Sequence, residues 1–169
     1  MTIKVGDRLP EGTLSEFIEV EGNGCSVGPN QFKVEDLTKG KKVVFFGLPG
    51  AFTPTCSAKH VPSYTANFDQ LKAKGVDAVY CISVNDPFVM GAWNKADGSE
   101  DITMLADGNG DFAKATGLEM DGSKFGMGQR SQRYSMIVND GVVEQLNVEA
   151  PGEYRASSAE YMLDQLATA

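Results

Sequence analysis

The sequence predicts an α/β fold of three layers, with helices on both faces of a mixed central sheet, and three observations carry this. Residues 43–46, Val-Val-Phe-Phe, form an apolar run too short for a helix but suited to a central strand covered on both faces. A helically spaced segment, residues 54–74, then leads through Gly75 into a second apolar strand, residues 76–84. Strand, helix, strand in that order reads as a parallel crossover. Finally, residues 133–139 and 142–147 flank Asp140-Gly141, the strongest hairpin signal in the chain, and add antiparallel strands.

Taken in order, residues 13–20 partly alternate and read as an edge strand. Gly22-Asn23-Gly24 marks a turn, with Cys25 in the exposed loop after it and no role assigned to it. Residues 32–34 read as a short strand and residues 34–37 as one helical turn leading to Gly40. After the central strand, Pro49 and Gly50 act as a stop. Thr53 then reads as an N-cap, with Pro54 at the first helical position, where a missing N–H costs nothing. Ala58, Val61, Tyr64, Phe68 and Leu71 recur at helical spacing, and Pro62 predicts a kink or division among them. Asn85-Asp86-Pro87 opens a helix over residues 87–96 that carries Trp93, the only tryptophan. Residues 102–106 read as a strand and residues 111–116 as a short helix stopped by Gly117. A glycine-rich loop, residues 122–128, precedes the hairpin, and Ser157-Ser158-Ala159-Glu160 reads as a capping box opening the last helix. With no repeat or linker, residues 1–169 read as a single domain of the thioredoxin-like class, ending in a β-hairpin plus helix.

The bulk properties narrow the function. A chain of 169 residues can bury one sizeable core. A net charge of −8 argues against a nucleic-acid surface or an anionic membrane partner. No run approaches the length needed to span a bilayer. The first residues have no apolar signal region, so a cytoplasmic protein is expected, with a processed organellar form also compatible. Three cysteines without metal-like spacing suit a reducing compartment and imply no metal site. Asp107-x-Asn109-x-Asp111 imitates a calcium loop, but Phe112 stands where its glycine belongs and Leu118 where its glutamate belongs. Gly126-x-Gly128 lacks the third glycine and the preceding strand of a nucleotide loop.

The chemistry gathers at Cys56, which counts to the third position of the helix opened by Thr53-Pro54. The first four N–H groups of a helix have no intrahelical partner, and the macrodipole places partial positive charge there. A thiol held at that place is drawn toward thiolate, the nucleophilic form. An inert core cysteine would not require this cap arrangement.

The stretch Phe46-Gly47-Leu48-Pro49-Gly50-Ala51-Phe52-Thr53-Pro54-Thr55-Cys56-Ser57 resembles the active site of peroxiredoxins, closely that of the type II, peroxiredoxin-5-like branch. The blocks from Cys81 to Val89 and Arg133-Tyr134-Ser135-Met136 resemble further parts of the same branch, so the likeness runs from about residue 3 to 166. By that resemblance Cys56 is the peroxidatic cysteine, oxidised to sulfenic acid by hydrogen peroxide or an alkyl hydroperoxide, and Pro49, Thr53 and Arg133 complete the site. The chemistry of each residue agrees. The threonine hydroxyl can accept from a backbone N–H and touch the peroxide. The arginine stays charged and offers several fixed donors to the thiolate and to the departing oxygen. Pro49 shields sulfur without adding a competing donor. The resemblance also implies a homodimer, with Phe52, Phe88 and Trp93 as interface candidates that are equally candidates for the core. It implies no cofactor, the electrons coming from an external thiol: glutathione, a glutaredoxin or thioredoxin.

For Cys81, resemblance to the plant-type members of the branch implies a resolving cysteine that closes a disulfide onto Cys56; the alternative is a core residue. Helix rise and strand return place the two sulfurs on the order of 10 Å apart in the folded state, beyond disulfide reach. Bonding would require the first helical turn to unwind. His60, the only histidine, lies four residues beyond Cys56 and suggests a rival Cys–His nucleophile. Helical geometry turns the two side chains apart, which leaves His60 a structural or interface role. Two other classes stay open: a thiol-disulfide oxidoreductase, which would want a cysteine where Thr53 stands, and a thioredoxin-fold redox sensor.

Overall fold

The structure is a computed structural model and describes residues 1–18 and 28–167. The strands are β1 (Thr13–Ile18), β2 (Gly28–Lys33), β3 (Lys42–Gly47), β4 (Ala78–Ser83), β5 (Thr103–Ala106), β6 (Glu119–Asp121), β7 (Gln129–Ser131), β8 (Tyr134–Asn139) and β9 (Val142–Val148). The helices are α1 (Val34–Thr38), α2 (Val61–Ala66), α3 (Phe68–Ala73), α4 (Pro87–Asp97), α5 (Asp111–Thr116) and α6 (Ala159–Ala167). Seven strands make one mixed sheet in the order β2-β1-β5-β4-β3-β8-β9, and β6 pairs with β7 apart from it. β3 runs parallel to β4 and β4 parallel to β5, while β8 is antiparallel to β3.

The apolar run of β3 is continuous because both of its faces are covered. Val44 and Phe46 join the core under Tyr64 of α2, Leu71 of α3, Trp93 of α4 and Met162 of α6. Val43 and Phe45 join the opposite core with Val34 and Leu37 of α1 and Phe112 of α5. Phe46 lies flat on Tyr64, with centroids 4.1 Å apart and planes at 3°. Such a pair adds about 1 kcal/mol beyond its burial. The β8–β9 turn takes the expected primed geometry, with φ of 49° at Asp140 and 81° at Gly141.

Several local expectations are corrected. Residues 13–18 are not the sheet edge, because β2 pairs along the outer side of β1 and takes that place. The helix after β3 begins at Pro54 as expected, but Pro62 does not divide it. Instead residues Cys56–His60 form a π-helical turn, with the Val61 N–H donating to Cys56 O. Pro62 has no N–H to give Ala58 and its ring crowds that carbonyl, so the turn before it widens. The division falls at Asn67, whose Nδ2 donates to Ser63 O at 2.8 Å and competes with the helix ladder. The glycine-rich residues 122–128 precede a strand that the sequence did not reveal, β7, and close the β6–β7 hairpin, with Gly122 N donating to Gly128 O at 2.7 Å. The cap of α6 is Ser158, whose Oγ accepts from Tyr161 N at 3.2 Å, rather than Ser157. Cys25 and the Gly22-Asn23-Gly24 turn lie outside the described residues.

Candidate active site

The loop between β3 and the helix is built to hold Cys56. The Ser57 N–H donates to Thr53 O at 2.9 Å, so Thr53 is the N-cap through its backbone and Cys56 is the third helical residue. Its side chain does something else. Thr53 Oγ1 donates to Gly50 O at 2.7 Å, which turns the hydroxyl proton back into the loop and leaves the oxygen lone pairs outward. Ala51 N donates to Asn85 Oδ1 at 3.0 Å, fastening the loop to the end of β4, where Ser83 Oγ also donates to that oxygen at 2.6 Å. Phe52 sits between these points at φ 63°, a conformation most side chains avoid.

Cys56 is fully buried, next to Thr55 and in contact with Arg133, both of which line a cleft. Arg133 comes from the other side of the site. It lies just ahead of β8 rather than inside a strand, and its Nη2 donates to Cys56 Sγ at 3.1 Å. Its Nη1 bonds His60 Nδ1 at 2.8 Å, while His60 Nε2 bonds Ser157 O at 3.0 Å. A carbonyl only accepts and a guanidinium only donates, so Nε2 carries the proton and Nδ1 offers a lone pair. Burial, with the nearby Arg133 charge, lowers the His60 pKa from 6.5 to about 3, which keeps the ring neutral. The histidine is thus the rest for the arginine, a role that Cys–His spacing did not reveal. Both ring nitrogens are engaged, so the Cys–His nucleophile has no geometry here.

The loop after β9 completes the support. Glu149, buried, accepts from Ala156 N at 2.7 Å and from Arg155 N, while its own N–H donates to Arg133 O at 2.9 Å. This folds the loop so that Ser157 O meets His60 and also takes the Tyr64 hydroxyl at 2.8 Å. Burial pushes the Tyr64 hydroxyl well up, so it stays a donor. Glu149 and Ser157 carry no local sequence signal, because their roles exist only once β9 lies beside β8.

The cleft above Thr53 and Arg133 measures about 630 Å³. Met120, Phe125 and Met127 from the β6–β7 hairpin form one apolar wall, and Pro49, Pro54 and Pro151 another part of the lining. Cys81 stays in the core opposite Phe46 and is fully buried, and neither it nor Cys56 forms a disulfide. Burial pushes its thiol well above the ordinary range, and Cys56 adds to the rise. Among the described residues no group of histidine, cysteine and carboxylate side chains is arranged to hold a metal.

The chain is similar to known proteins. A family model described as Redoxin matches residues 4–163. The chloroplastic Peroxiredoxin-2E-2 of Oryza sativa subsp. japonica is 48% identical over 98% of this chain and 73% of its own length. Peroxiredoxin-2B of Arabidopsis thaliana is 45% identical over 97% of this chain and 98% of its own. Among solved structures, reduced Prx3 of Vibrio vulnificus in complex with hydrogen peroxide is 51% identical, with a TM-score of 0.90 over 98% of this chain and 99% of that one. The chain therefore belongs to the redoxin family and, within it, to the peroxiredoxins, thioredoxin-fold thiol peroxidases.

Proposed function

We propose that Cys56 is the peroxidatic residue of a thiol peroxidase acting on hydrogen peroxide and alkyl hydroperoxides through a sulfenic acid. The observation that carries this is the 3.1 Å contact from Arg133 Nη2 to Cys56 Sγ, with the guanidinium held from behind by a neutral histidine. The thiolate attacks the terminal oxygen of ROOH. The O–O bond breaks, its electron pair goes to the RO oxygen, and that oxygen leaves as ROH with the peroxide's own proton. Sulfur is oxidised to the sulfenate and the peroxide is reduced by the same two electrons. Two of the five N–H donors of Arg133 are committed to sulfur and His60; the others serve the peroxide oxygens as charge develops. Thr53, its proton given to Gly50, accepts from the peroxide O–H. Pro49 walls the cleft against water. An apolar cleft of about 630 Å³ far exceeds the roughly 30 Å³ share of a single water, which supports alkyl hydroperoxides beside hydrogen peroxide.

An external thiol, of glutathione, a glutaredoxin or thioredoxin, then attacks the sulfenic sulfur; the oxygen leaves as water and a mixed disulfide forms, a second thiol releases Cys56 as thiolate with a disulfide as the oxidised product, and no bound cofactor takes part. Cys81 is protonated and enclosed in the folded state, which makes it a poor nucleophile there. Resolution by Cys81 requires the π-helical turn to open. Stopped-flow mixing with hydrogen peroxide tests the scheme. Oxidation of one thiol is expected to vanish in Cys56→Ser and to slow about a hundredfold in Arg133→Gln, the usual scale for one oxyanion-type donor. Turnover with glutaredoxin should survive Cys81→Ser; its loss would make Cys81 obligatory.

The protein works as a homodimer in the cytoplasm or as a processed organellar form, a reading supported by relatives named chloroplastic. No helix among the described residues is long and apolar enough to cross a membrane. Phe52 and Phe88 are 55% and 60% exposed, which supports them as the dimer contact. Trp93 is fully buried, donates to Ser57 Oγ at 2.8 Å and belongs to the core instead. Phe88→Glu is expected to sediment as a monomer at concentrations where the native chain is dimeric.

A further inference from the structure

The geometry points to Arg130 as a positioning residue, a clasp that ties the β6–β7 hairpin to the catalytic loop and holds Thr53 in register; this rests on the peroxidase reading above. Arg130 Nε donates to Met127 O at 2.9 Å, which fixes the guanidinium within its own hairpin. From there Nη1 reaches Pro49 O at 3.5 Å, a long charge-assisted contact across 81 residues of sequence. Gly50 records how close the approach is. Its φ is not in the left-handed region, yet a Cβ there would stand 2.9 Å from Arg130 Nη1 and 3.4 Å from Met127 Cε. The arginine lies directly on this glycine, nearer to the position of a Cβ than Thr53 Cγ2 at 3.3 Å, and a methyl group there would displace the guanidinium. Gly50 O is also the acceptor that sets the Thr53 hydroxyl, at 2.7 Å. Asn85 fastens the same loop from the opposite side, through Ala51 N at 3.0 Å. Removing the Arg130 anchor frees the stretch from Pro49 to Gly50 and with it the direction of Thr53, while Arg133, Cys56 and His60 keep their contacts.

The test is the second-order rate of Cys56 oxidation by hydrogen peroxide, together with the pH midpoint of Cys56 alkylation by iodoacetamide. Arg130→Ala is expected to slow oxidation about tenfold, the scale of a small misplacement in an otherwise intact site. Its alkylation midpoint should match the native protein, whereas Arg133→Gln moves that midpoint upward. Arg130→Lys keeps the charge and loses the fork, and is expected to be as slow as the alanine variant. The methyl group of Gly50→Ala meets side-chain ends, first Arg130 Nη1 and then Thr53 Cγ2 and Met127 Cε, so the chain still folds and the guanidinium, the nearest of them, is pushed off the loop. Its cost should be large in the native background and small in Arg130→Ala. A native rate in Arg130→Ala, full rescue by lysine, a shifted midpoint or additive costs at residues 50 and 130 would each overturn the clasp. Failure of the native protein itself to oxidise at Cys56 would instead overturn the peroxidase reading.

Discussion

At His60 the Nε2 proton is given to Ser157 and the bare Nδ1 receives Arg133, so the residue serves the site only while uncharged. Its folded pKa of about 3 lies below the ordinary 6.5. Between those values the unfolded chain binds a proton that the folded chain refuses. Stability from this group is therefore complete above about pH 6.5 and is lost as pH falls toward 3. One proton corresponds to a slope of at most about 1.4 kcal/mol per pH unit. Urea denaturation between pH 7 and pH 4 is expected to show this slope in the native chain and a flatter one in His60→Leu. An unchanged slope would mean that His60 is not the titrating group.

Among the elements, the start of α6 separates two adjacent serines by what each side chain touches. Ser158 Oγ caps the helix by accepting from Tyr161 N, while Ser157 Oγ is buried without a hydrogen-bond partner and only its carbonyl is used. Ser158→Ala is expected to lower stability by about 1 kcal/mol. Ser157→Ala removes an unsatisfied hydroxyl and is expected to be neutral or slightly stabilising. Urea midpoints of the two variants check this, and the reverse order would restore the cap at Ser157. The residue pattern Ser-Ser-Ala-Glu fits either register. The choice follows from Ser157 being drawn inward to His60 and Tyr64, a contact across more than ninety residues. The π-helical turn has a local origin in Pro62, and it carries both Cys56 and His60, the two residues that meet Arg133.

For the molecule as a whole, the register between β3 and β8 decides where Arg133 enters the site. Gly47 pairs with Tyr134, the residue after Arg133. A Cβ on Gly47 would lie 2.1 Å from Tyr134 Cε1, inside a ring that is itself buried. Gly47→Ala is expected to destabilise the fold by about 3 kcal/mol, the upper range for overpacking a filled core. It should also slow peroxide oxidation of Cys56, because the ring can move only by shifting the chain that carries Arg133. A variant of native stability with native rate would show that the register tolerates the added methyl group.

The amino-acid order alone determined the β3 run, the Thr53-Pro54 helix start, the Asp140-Gly141 turn and the cysteine placed at the helix mouth. Each rests on the backbone preferences of a few neighbouring residues. Pro49, Thr53 and Arg133 were nameable through the likeness of short motifs. Only the packed chain decided that Arg133 leans on His60, that Glu149 and Ser157 hold the histidine, and that residues 119–131 become a separate hairpin over the cleft. Those contacts join segments far apart in sequence. Their hydrogen bonds form only after burial has excluded water, so nothing in the local spacing can encode them.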